Sequence, residues 1–118
     1  MEVSVQFRII LSLLLFREVI RLKLERDFQK HVIDILKSNG CMVMKLDSGY
    51  IQGIPDLLVL SGNKWATLEC KKDLYSSHQP NQDYYVDLMN NMSFSRFICP
   101  ENEVEVFTDL FFFLQHGK

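Results

Sequence analysis

Gly53-Ile54-Pro55-Asp56-Leu57-Leu58-Val59-Leu60-Ser61-Gly62-Asn63-Lys64-Trp65-Ala66-Thr67-Leu68-Glu69-Cys70-Lys71 is the stretch on which the reading of this chain turns. Leu57-Leu58-Val59-Leu60 and Trp65 to Cys70 read as two strands, and Ser61-Gly62-Asn63 between them as a tight hairpin turn. Side chains alternate faces along a strand, so Glu69 and Lys71 point to one side and Cys70 to the other. Pairing residues 57–60 with 65–69 brings Asp56, which opens the first strand, beside Glu69 or Lys71. Two carboxylates and an ammonium then converge. Such carboxylates are hard oxygen ligands suited to Mg²⁺ or Mn²⁺, to which the backbone carbonyl of Cys70 adds another oxygen. The Cys70 thiol is a poor ligand for these ions and reads as a small core group. Lys71 at that spot would orient or deprotonate a water and offset charge on a phosphate under attack, chemistry that fits phosphodiester hydrolysis.

Working outward, Leu24, Phe28, Val32, Ile35 and Leu36 recur at helical spacing and stop at Asn39-Gly40. Residues 41–46 read as a strand and 47–53 as a polar loop. Downstream, Pro80 fits the first turn of a helix whose face carries Gln82, Tyr85, Leu88, Met89 and Met92. Phe94 to Cys99 reads as a strand and Val104 to Leu114 as a closing helix. The order α-β-β-β-α-β-α predicts an α/β fold, a mixed central sheet flanked by helices, as one domain over residues 24–118. Residues 1–23 stand apart as an apolar segment, expected to be helical and packed on the domain or on a dimer partner. Their run Ile9-Ile10-Leu11-Ser12-Leu13-Leu14-Leu15-Phe16 is too short to span a bilayer, which needs about 20 apolar residues. Glu2 before Arg8 and the lack of a small-residue cleavage site weigh against a secretory signal. The alternative is a helix burying Phe7, Ile10, Leu11, Leu14 and Leu15, from which a homodimer and no stable membrane association are expected.

A chain of 118 residues has room for one domain, and 47% hydrophobic with 24% charged residues excludes disordered and low-complexity classes. Cys41, Cys70 and Cys99 are odd in number and far apart, which supports neither a disulfide framework nor a structural zinc site and points to a reducing, cytoplasmic setting. The net charge of −2 is unevenly spread, being +2 over residues 1–24, 0 over 25–82 and −4 over 83–118. A polyanion would therefore meet the N-terminal or central part.

The constellation resembles the PD-(D/E)XK nuclease superfamily, here as Pro55-Asp56 followed by Glu69-Cys70-Lys71. The resemblance extends to its small members of the VRR-NUC and phage Holliday-junction-resolvase-like types over roughly residues 24–107. A helix carrying Glu25, the glycine approach at Gly53, and Pro80-Asn81-Gln82 entering a helix occur in the family's order. It implies a restriction-endonuclease-like sheet and a DNA endonuclease using Mg²⁺, or Mn²⁺ in its place, with Asp56 and Glu69 as ligands and Lys71 at the water. A phage-encoded protein acting on branched or junction DNA would fit the same relatives.

Two further residues carry alternatives. Glu25 either reaches over the sheet to a metal or is a solvated helix-surface glutamate. Gln82 either orients Lys71 or a phosphate, or satisfies first-turn amides. DNA contacts are expected from Arg26, Lys30, Lys45, Lys72, Ser77 and His78, with Arg21, Lys23 and Lys64 in the wider basic set. No base-reading motif is present, so recognition of DNA shape rather than sequence is expected. His31 and His116 lack nucleophile partners and ligand spacing and read as surface residues. A second function class fits the same fold: a non-catalytic dimeric nucleic-acid-binding or adaptor module.

Overall fold

The computed structural model describes residues 5–118. Seven elements follow in the expected order: α1 Val5–Ser38, β1 Met42–Lys45, β2 Leu57–Ser61, β3 Lys64–Cys70, α2 Gln82–Met92, β4 Ser95–Ile98 and α3 Glu103–His116. The four strands lie in the order β1-β2-β3-β4. The first three run antiparallel to their neighbours, whereas β4 is parallel to β3, making the sheet mixed. A parallel neighbour cannot be reached by a tight turn, and α2 is the crossover that makes the connection.

The core lies between the sheet and the helices. Val32 and Leu36 of α1 meet Leu57 and Val59 of β2, Ala66 and Leu68 of β3, Ile98 of β4 and Leu110 of α3, all fully buried. Burial alternates along β2, as expected for a strand with one face inward, but every residue from Ala66 to Lys71 is buried. Central β3 is covered on both faces. On its second face Thr67 donates a hydrogen bond to Ser95 on β4 (2.7 Å).

The largest departure from expectation is at the N-terminus. Residues 5–23 are helical as expected, but no break separates them from the domain: α1 runs unbroken for 34 residues, because no glycine or proline interrupts it and Arg21 bridges Glu18 and Glu25 across the expected boundary. Nor does its first half pack on the domain. From Ile9 to Leu24 every large apolar side chain is exposed, Leu24 included, and the first buried residue of α1 is Phe28. Residues 1–4 of that segment lie outside the described residues. The projecting helix stretches the molecule to 64 × 26 × 21 Å and its radius of gyration to 17.3 Å, against about 13–14 Å for a compact chain of this length. No helix among the described residues is long and apolar enough to cross a membrane.

α2 also differs in detail. Pro80 lies before the helix rather than in its first turn, and Asn81 is the N-cap, in a left-handed conformation with φ 71°. Gln82 is buried and Tyr85, Leu88 and Met89 half-buried as that face predicts, but Met92 is exposed and Val86, outside the predicted face, is buried.

Candidate active site

β2 and β3 pair in a register that sets Leu57 against Leu68. One step further, that register sets Asp56 against Glu69. The Cys70 N–H donates to Asp56 Oδ2 (3.0 Å), which fixes the carboxyl at the end of the hairpin. The Asp56 carbonyl accepts from Leu46 N–H (2.8 Å), so the approach strand is anchored on its other side as well.

Gly53 explains how the loop before Asp56 comes so close to α2. Its φ of +90° is in the region that favours glycine, and a Cβ there would lie 2.7 Å from both Asn81 Cβ and the Pro80 carbonyl oxygen. The left-handed Asn81 turns the chain so that Gln82 enters α2 facing the sheet. Gln82 Oε1 accepts from Lys71 Nζ (2.8 Å) and from Gln79 N–H (2.8 Å). Lys71 Nζ also donates to the Ser77 carbonyl (3.2 Å). A buried ammonium is thus held in one position by two oxygens.

Glu69 is the anomalous group. Its side chain is buried and Oε1 has no hydrogen-bond partner among the described residues. Burial, then the neighbouring Asp56 carboxyl and its hydrogen bond, push the Glu69 carboxyl up to about 9, with Lys71 acting in the opposite sense. An unpaired buried carboxylate is among the costliest groups a core can hold, so it is protonated or meets a cation. Asp56 and Glu69, with the Cys70 carbonyl, form an oxygen set that suits a divalent cation. The Cys70 thiol lies in the core and burial pushes its pKa well up, which removes it as a ligand.

These residues line a cavity of about 360 Å³ whose other wall is α1, contributing Arg21, Glu25, Arg26 and Gln29. Glu25 faces the cavity, but its carboxylate is paired with Arg21 (3.0 Å). Among the described residues no three His, Cys, Asp or Glu side chains form a closed metal cage. The available set is therefore the two sheet carboxylates, with Glu25 held to one side by an arginine.

The other predicted contacts divide. Arg26 and Ser77 line the cavity. Lys72 lies in an adjoining depression with Leu14, Arg17, Glu18 and Arg21, paired with Asp73 (2.7 Å). Lys30 points outward, paired with Asp34 (3.2 Å), and Lys45 is exposed on edge strand β1, outside the cavity wall. His78 is engaged elsewhere: its ring stacks on Phe97 at 4.0 Å and Nδ1 bonds Asp83 (2.7 Å). Arg21, expected only as part of the wider basic set, also holds Glu25, and the signal for that pairing is their spacing of four. Compared with known protein families, with curated proteins and with solved structures, the chain matches none.

Proposed function

We propose that this protein is a metal-dependent DNA endonuclease of restriction-endonuclease-like architecture, hydrolysing phosphodiester bonds in branched or otherwise structured DNA. The observation that carries the reading is the orphaned Glu69 Oε1 beside Asp56 in a cavity shared with a fixed lysine. A carboxyl so placed keeps its proton unless a cation takes the proton's place. Asp56, Glu69 and the Cys70 carbonyl would hold Mg²⁺ or Mn²⁺, and Glu25 would join them on leaving Arg21. The bound ion supplies Lewis acidity and a water of lowered pKa.

The chain's own groups account for the rest. Lys71 Nζ, held by Gln82 and the Ser77 carbonyl, has one donor left to orient a water or neutralise a phosphate oxygen. Gln82 is a positioning residue: its contact is with the ammonium. Arg21 and Arg26 on the facing wall supply positive charge to the flanking phosphate backbone. None of these contacts reads a base edge, which favours recognition of shape.

The test is cleavage of labelled four-way junction, flap, fork, nicked, single-stranded and linear duplex DNA with Mg²⁺, Mn²⁺ or EDTA. Wild type should cut only with metal. Asp56→Ala should be inactive and Lys71→Ala slower by about 10²–10⁴-fold. Full activity in both variants would sink the assignment, and binding without cleavage on every substrate would favour the adaptor module.

A further inference from the structure

The first half of α1 is not accounted for by the cavity or the core. From Ile9 to Leu24, eleven large apolar side chains are between 40% and 68% exposed. A fully exposed side chain of this size presents roughly 60–120 Å², so the segment offers roughly 350–750 Å² of apolar surface. That matches or exceeds the largest patch on an ordinary monomer, about 300–600 Å². Because these side chains surround the helix, one pairing covers only the stripe that faces the partner, a smaller area than the roughly 800 Å² each side brings to a standard interface. The run from Ile9 to Phe16 is about 12 Å long, well short of a bilayer core.

The charges on this helix indicate the occupant. Leu11 and Leu15 lie one turn apart, and Arg8 and Glu18 continue the same stripe at the two ends. Leu13 is the midpoint of both pairs. In an antiparallel pairing of two identical helices about a two-fold axis at Leu13, Leu11 faces Leu15 of the partner subunit. Arg8 then faces Glu18 of the partner subunit at both ends. Glu18 is more than half exposed and can accept that contact beside Arg21. A parallel pairing would instead set like charges against each other.

We propose that residues 5–21 of α1 form an antiparallel helix pair with the same segment of a second copy, with the two-fold axis at the level of Leu13 and reciprocal Arg8–Glu18 ion pairs closing the two ends. Arg8, Leu11 and Leu15 lie outside the cavity wall, and only Glu18 touches it, through Arg21, so cleavage assays and assembly assays can fail separately.

The test is the mass of the full chain by sedimentation equilibrium, with Arg8→Glu, Glu18→Arg, the double exchange and Leu15→Glu. These positions lie outside the core, and circular dichroism with thermal melting checks that each variant is folded. Wild type should have twice the 13.9 kDa chain mass at micromolar concentration. Each single charge reversal should weaken the dimer about 10-fold, and the double exchange should restore it. Leu15→Glu should be monomeric. A monomeric wild type would overturn the proposal, whether it floats with phosphatidylserine-containing vesicles or stays free of them. A dimer indifferent to Leu15→Glu, or one that the double exchange fails to restore, would overturn it too.

Discussion

Residues 5–24 and 25–38 belong to one helix, yet they have different surroundings. In the second half a single stripe of Phe28, Val32 and Leu36 is buried, and the opposite side carries Lys30, Asp34 and Lys37 in solvent. The first half is apolar on nearly every side and buries none of it in one chain. Apolar content therefore does not decide burial here. What decides it is how closely the sheet and α3 cover the helix: Arg21, Leu22 and Glu25 only border the open cavity at the end of β3, and burial begins at Phe28.

Substitution in the two halves should break their apparent equivalence. Leu36→Ala leaves a hole against fully buried Leu57 and Leu68 and should cost about 2–5 kcal/mol of stability by denaturant titration. Gly53→Ala acts away from α1, on the contact between the Asp56 loop and the start of α2. It should cost about 1–3 kcal/mol and, by displacing Gln82 from Lys71, slow cleavage as well. Leu15→Ala should change the denaturant midpoint of the monomer by less than about 0.5 kcal/mol, while weakening any assembly. A cost for Leu15→Ala equal to that for Leu36→Ala would erase the distinction.

Glu69 gives a pH dependence that sharpens the comparison from the side of the cavity. The folded chain keeps this proton up to about 9, whereas the unfolded chain releases it near the ordinary 4.5. Between those values the folded state binds more protons, so metal-free stability should fall as pH rises through the window. Glu69→Gln should flatten that slope in thermal melts. Added Mg²⁺ should raise the wild-type melting temperature increasingly with pH, because the metal takes the place of the proton. A pH slope unchanged in Glu69→Gln would show that another group governs it.

The hairpin and the site on it were legible in the sequence for a simple reason. Strand period is two and the Ser61-Gly62-Asn63 turn fixes the register, so the juxtaposition of Asp56 with Glu69 follows from local rules. Lys71 meeting Gln82 was legible only in outline, because it depends on the left-handed turn at Asn81 and the close approach at Gly53. Helical periodicity shows which residues share a stripe but not what lies opposite, which is why the continuity and exposure of α1 were missed. The stacking of His78 on Phe97 joins a loop to β4, and no pattern around His78 announces it.

The parallel joint between β3 and β4 has a consequence for the order of assembly. β1, β2 and β3 are joined by antiparallel neighbours close in sequence, with Leu57 facing Leu68, whereas Thr67 must find Ser95 across the whole α2 crossover. Contacts between distant parts of the chain pay their loop-closure cost late in folding. Asp56 and Glu69 are brought together by the early hairpin. The Lys71 ammonium gains its Gln82 partner only when α2 docks, so the carboxylate pair is expected to form before the lysine is fixed.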